Sequence, residues 1–185
     1  MMQQVLKTAK EKMARSIEAT ERDFATVRTG RATPALLDRV KVEYYGSELP
    51  VNQIATVTVP EARQLLISPW DKSVLPAIEK AIFASDLNLT PNSDGNVIRL
   101  EIPALTEERR RELTRLVHQK AEEGKIAIRN LRREANETLE KKQKASEISE
   151  DDCERGKKEI QKLTDEFIAK VDELTRAKEA EIMEV

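Results

Sequence analysis

The chain has 185 residues, room for one domain or two small ones, and 36% of them are charged against 3% aromatic. That mix, rich in Ala, Leu, Glu, Lys and Arg, points to long exposed helices over at least part of the chain. The net charge is near zero at -2, and one cysteine (Cys153) with one histidine (His118) excludes an intrachain disulfide, a zinc cage and a histidine-rich metal site.

Residues 2–28 place Val5, Ala9, Met13, Ser16, Thr20, Phe24 and Val27 at three- and four-residue steps, one stripe of an amphipathic helix. Thr29-Gly30 with Pro34 beyond it supplies the stop. Residues 31–105 read differently. Val40–Tyr44 alternates, Tyr45-Gly46-Ser47-Glu48 offers a turn, and IATVTV (54–59) and QLLIS (64–68) are strand-like. Val74–Ser85 reads as a short helix capped by Ser73, with Pro76 tolerated in its first turn. Asn92-Ser93-Asp94-Gly95 reads as a turn before the strand Asn96–Ile102.

A second helix is expected over 106–144, capped by Thr106, with Glu107 and Glu108 at the positive end of its dipole. Its stripe is Leu113, Leu116, Val117, Ala121, Gly124, Ala127, Ile128, Leu131, Ala135 and Thr138. A third starts at Ser149, with Asp152 at capping-box spacing, and carries Cys153, Ile160, Leu163, Phe167, Val171, Leu174 and Ile182. At the helical rise the three rods would be roughly 40, 58 and 50 Å long, and each has one narrow stripe to bury. The expectation is an α+β protein. Residues 1–29 plus 106–185 make an elongated antiparallel three-helix bundle, and residues 30–105 make an inserted β/α/β sandwich domain. The chain crosses between them twice, so Thr29, Gly30, Ala104 and Leu105 are candidate hinge residues; a rigid corner is the alternative reading.

Charge is unevenly spread. Between Arg109 and Arg133 nine Lys or Arg residues face only Glu112, Glu122 and Glu123. On a helical wheel with Leu113 at zero, Arg132 falls near 100°, Lys125 near 120°, Arg129 near 160° and Arg133 near 200°. They share the side away from the expected core. Such a run is usually a solvated face. Here most positions are arginine, whose planar fork suits phosphate, and most lack a Glu four residues earlier to pair with. A nucleic-acid backbone would satisfy them. Too few aromatics are available to stack single-stranded bases, so structured RNA held by its phosphates is the expected ligand.

The sequence resembles the ribosome recycling factor family over essentially its whole length. The resemblance rests on VRTGRATPALLD (27–38), VEYYG (42–46), EKAIFASDLNLTPNSDG (79–95), PALTEERRRELT (103–114), IRNLRREAN (128–136) and EISEDD (147–152). It implies an L-shaped molecule, a bundle hinged to a β/α/β domain. It implies binding to the post-termination ribosome and, with elongation factor G and GTP, dissociation into subunits with release of mRNA and tRNA. The bundle would lie along large-subunit ribosomal RNA, with Arg132 foremost, then Arg129 and Arg133. Arg28 and Arg31 match the family's basic pair at the hinge, and Arg110 its start of the second helix. His118 departs from the pattern, where a basic residue is expected. A monomer with no cofactor and no enzymatic activity follows.

No GxxxxGK loop is present to hold nucleotide. The N-terminal residues 1–25 show no apolar stretch or cleavage signature, and no long apolar run occurs elsewhere, so a cytoplasmic protein with no membrane association is expected. Cys153, on the apolar stripe, reads as packing. The alternatives are a helical RNA-binding or protein-binding adaptor without recycling activity, or a hydrolase using Asp71 or Asp94 of the inserted domain.

Overall fold

The computed structural model describes residues 2–184; Met1 and Val185, assigned above to the bundle, lie outside the described residues. The chain divides into two compact units. One comprises the chain through Thr29 together with Thr106–Glu184, and the other is Gly30–Leu105.

The first unit contains α1 (Met2–Ala25) and, later in the chain, α3 (Glu107–Lys144) and α4 (Glu150–Met183). Each helix packs on the other two. α3 runs antiparallel to both neighbours, as its partners show: Gly124 meets Thr20 of α1, Lys125 meets Asp172 of α4, and Glu140 meets Lys157. Both long helices start on side-chain caps. Thr106 accepts from the Arg109 N–H and Ser149 from the Asp152 N–H. The turn between them closes on Ser146, which takes a left-handed φ of 59°. Val5 and Ala9 of α1, Ala135 and Leu139 of α3, and Cys153 and Ile160 of α4 form a buried cluster, with Leu139 and Ile160 fully enclosed.

The buried stripes differ from the expected ones at single steps. On α1, Ile17 is buried and Ser16 only half so; on α4, Thr164 and Thr175 are buried while Leu163 and Leu174 are half-buried. Each threonine hydroxyl donates to the carbonyl four residues back, which satisfies it inside the core. On α3, Leu116 is exposed and Leu139 completes the stripe. α1 ends at Ala25, three residues short of the expected end, although Val27 beyond it is buried.

Two glycines permit the close helix approaches. A Cβ on Gly124 would lie 2.6 Å from Thr20 Oγ1, and one on Gly156 would lie 2.9 Å from Leu139 Cδ1. Helix propensity disfavours both glycines; packing requires them.

The second unit contains the hairpin β1 (Lys41–Tyr44) and β2 (Ser47–Pro50), the strands β3 (Ala55–Glu61) and β4 (Gln64–Pro69), the helix α2 (Leu75–Ala84), and β5 (Asn92–Ser93) and β6 (Ile98–Glu101). β3, β4, β6 and β5 form an antiparallel sheet in that order. Val42, Val51, Leu65, Ile67, Ile78, Ile82, Ile98 and Leu100 enclose one apolar core between strands and helix. Asp71, not Ser73, is the capping residue ahead of α2. Its carboxylate accepts from the Ser73 N–H and opens the short 3-10 turn Lys72–Val74, which leads into the helix. Asn92 and Ser93 pair with Arg99 and Ile98 as a strand, so the turn there lies two residues later than expected, at Asp94 to Val97.

Candidate nucleic-acid interface

α3 presents the basic side chains, some over its seam with α4 and some on its outer side. Arg129 lies about one turn before the adjacent pair Arg132 and Arg133, among the buried Ile128 and Ala135. Their environments differ. Arg132 is half-buried against α4: its Nη1 donates to Gln161 Oε1 at 3.3 Å, and Gln161 Nε2 donates to Asp165 Oδ1 at 2.9 Å. The guanidinium is thus held at one edge while its other donors remain unused by this bond. Arg129 pairs with Glu122, Nη1 to Oε1 at 3.1 Å, two turns earlier on the same helix. Lys125 reaches across to Asp172 of α4 at 2.6 Å. Arg133 is exposed and forms no ion pair among the described residues.

The structure therefore corrects two details of the sequence reading. Lys125 and Arg132 cover the seam between α3 and α4, not the side directly away from the core. The array is also partly neutralised. Glu122 sits two turns from Arg129, and Arg111 and Arg109 pair with Glu107 and Glu112. Exposed pairs of this kind hold weakly and exchange readily for a phosphate. His118, the position that departs from the basic pattern, lies with its Nε2 2.6 Å from Glu179 Oε1.

The remaining predicted residues fall in separate places. Arg28 is exposed beyond the end of α1. Thr29, next to it, is buried, and its hydroxyl donates to Glu181 Oε2 at 3.3 Å. Arg110, in the first turns of α3, is half-buried, with its Nε enclosed and unpartnered by protein. Arg31 is exposed and belongs to the small unit, as do Gly30, Ala104 and Leu105. Gly30 has φ +76°, and a Cβ there would stand 3.2 Å from Leu105 Cγ. Gln161 and Glu181, which hold Arg132 and Thr29, escape sequence reasoning. Each lies far along the chain from its partner, and only the packed bundle reveals the pairing.

Four other carboxylates have a physical reason to stay ionised, Asp94 among them through the backbone N–H groups of Val97 and Asn96. Hydrogen bonding from Lys157 holds Glu140 below the usual range, and Glu140 in turn raises Lys157. Arg155 does the same for Asp152. Ser73 lowers Asp71 by donating from both its hydroxyl and its backbone. No cluster of three or more metal-ligating side chains occurs among the described residues, and no described helix is long and apolar enough to cross a membrane.

Comparison with known proteins gives one consistent answer. A family model described as ribosome recycling factor matches residues 20–183. The ribosome-recycling factor of Halothermothrix orenii is 57% identical over 185 residues, all of both chains, and that of Bacillus subtilis is 55% identical over the same span. Among solved structures, a solution structure of the ribosome recycling factor is 46% identical with a TM-score of 0.72, covering 100% of this chain and 98% of its own. A second, 51% identical with a TM-score of 0.64 and full coverage of both chains, belongs to models of the T. thermophilus ribosome recycling factor and E. coli elongation factor G bound to the E. coli post-termination complex. The helical bundle, the β/α/β unit and the full-length identity agree: the chain belongs to the ribosome recycling factor family.

Proposed function

We propose that this chain binds the post-termination ribosome and, with elongation factor G and GTP, separates it into subunits, releasing mRNA and tRNA. The observation that carries the reading is the row Arg129, Arg132 and Arg133 on one long helix of a chain that matches ribosome-recycling factors end to end. In this reading α3 lies against large-subunit ribosomal RNA. Arg132 makes the central contact because its fork is already oriented, and Arg129, Arg133 and Lys125 exchange their solvent or carboxylate partners for phosphates. Arg28, Arg31 and Arg110 extend the basic contacts toward the ends of the crossings.

The chain itself performs no covalent step. It acts as a stiff element: the bundle is anchored on RNA, the small unit receives force from the translocase, and the crossings at Thr29-Gly30 and Ala104-Leu105 transmit it. The work comes from GTP hydrolysed by the partner. A neighbouring structure described together with elongation factor G on a post-termination complex supports the pairing of the two factors. The protein works as a monomer in the cytoplasm. The test is conversion of post-termination complexes to subunits by purified chain, elongation factor G and GTP, followed by light scattering. Absence of splitting while the chain still binds RNA would leave an RNA-binding adaptor.

A further inference from the structure

We infer that three acids of α4, Asp165, Asp172 and Glu179, are specificity-determining residues: they restrict the basic row of α3 to RNA whose phosphates match its spacing. The inference rests on the reading of α3 as the RNA-binding helix and adds to it a role for the helix alongside.

His118, Lys125 and Arg132 step along α3 seven residues at a time, and Glu179, Asp172 and Asp165 step back along α4 by the same interval. Because the two helices run antiparallel, each basic residue comes level with one acid. His118 Nε2 lies 2.6 Å from Glu179 Oε1, and Lys125 Nζ lies 2.6 Å from Asp172 Oδ1. At the third level Gln161 stands between the charges. It accepts from Arg132 Nη1 at 3.3 Å and donates to Asp165 Oδ1 at 2.9 Å. The levels repeat about every 10 Å along the seam, the rise of seven helical residues.

These pairs are open to solvent. The Asp172 side chain is 42% exposed and that of His118 61%. Pairs so exposed hold a fold weakly, and the His118 level is an ion pair only while the imidazole is protonated. Their stronger effect falls on a ligand. The first two levels and Arg176 line one open concavity between the helices, so a phosphate can reach the cations there. A phosphate that takes Lys125 from Asp172 exchanges one ion pair for another, and a single such contact gains little. The displaced carboxylates stay beside the ligand. A backbone seated on the cations of α3 clears them, whereas one shifted toward α4 meets like charge. Arg132, whose acid is reached only through a neutral glutamine, keeps the strongest pull on phosphate and sets where the RNA seats.

The full chain, Asp172→Asn, and a triple variant carrying Asp165→Asn, Asp172→Asn and Glu179→Gln are titrated with purified large ribosomal subunits and with poly(U), a single-stranded polyanion without fixed phosphate geometry. Each amide keeps the shape of the acid it replaces. Removing three like charges should tighten poly(U) binding roughly tenfold, while large subunits, whose phosphates already clear the acids, should gain less than about threefold. The ratio of the two affinities therefore falls. Asp172→Asn alone should move it the same way, roughly twofold, and carries the test if circular dichroism shows the triple variant unfolded. An unchanged ratio, an equal gain for both ligands or weaker binding of poly(U) would overturn the proposal. Arg132→Ala separates it from the reading it rests on. If that variant binds subunits less well while the acid variants leave the ratio fixed, only the role of α4 fails. If it binds subunits as wild type does, α3 is not the RNA face and both fail.

Discussion

Arg132 of α3 and Gln161 of α4 are joined side chain to side chain at 3.3 Å, and the glutamine is itself anchored to Asp165. The bond costs the guanidinium some freedom before any ligand arrives, and it leaves donors to spare. Replacing Arg132 by Ala should weaken ribosome binding and subunit splitting together. Stability should fall by no more than about 1 kcal/mol, since one neutral acceptor on a half-exposed seam is lost. Arg132→Lys should restore charge but not binding, because an ammonium lacks the planar fork. Binding isotherms at several salt concentrations check both, with a shallower salt slope expected for Arg132→Ala. A stability loss of several kcal/mol would mean that the side chain serves the bundle.

Gln161→Ala separates orientation from contact. It removes the tether and leaves the charge, so binding should weaken less than in Arg132→Ala while the salt slope stays near wild type. Equal losses in the two variants would show that Gln161 itself touches the ligand.

Gly30 has φ +76°, and its α-hydrogen side faces Leu105. A β-branched residue there meets both backbone strain and a crowded neighbour, at a cost of about 1–3 kcal/mol. If the crossing transmits force, Gly30→Val should slow splitting more than it weakens ribosome binding. Rapid light scattering for splitting and pelleting for binding distinguish the two. A parallel loss would assign Gly30 to orienting the bundle only.

The long helices were legible because a 3.6-residue period repeated over many turns averages out single exceptions. Thr106 and Ser149 marked their starts, and both cap as expected. Errors arose where a neighbour decides. Thr164 and Thr175 are buried because their hydroxyls find a carbonyl within their own helix, which a count of apolar residues overlooks. Asp71 displaced Ser73 as the capping residue because a 3-10 turn precedes α2. The arginine row was visible in one dimension. Its ion pairs with Glu122 and its hold on Gln161 depend on side-chain reach and on α4, neither of which the wheel includes.

Gly124 makes a packing prediction opposite in sign to propensity. Alanine is favoured over glycine by about 1 kcal/mol in a helix interior. Here the added Cβ would lie 2.6 Å from Thr20 Oγ1, and that threonine is buried and bonded to the Ser16 carbonyl. α1 and α3 must separate or Thr20 must turn, so overpacking of about 1–3 kcal/mol should outweigh the gain. Gly124→Ala alone should lower the urea midpoint, and combining it with Thr20→Ala should recover much of the loss. Additive losses in the double variant would refute the contact.

The Glu140–Lys157 pair, 2.8 Å apart and joining α3 to α4, gives a pH dependence with a definite sign. Glu140 has its folded pKa lowered by Lys157, so its contribution is present above the unfolded carboxylate value and is lost as pH falls through the folded one. Lys157 has its folded pKa raised by Glu140. Its contribution is complete below the unfolded lysine value and disappears as pH rises through the folded one. The stability difference between wild type and Lys157→Met should therefore be flat from about pH 5 to about pH 10 and shrink outside both limits. Urea midpoints of the two proteins across that range measure it. Because both groups are open to solvent, added salt should flatten the difference at every pH. A difference that persists unchanged at pH 3 would mean that the lysine stem, not its charge, packs the seam.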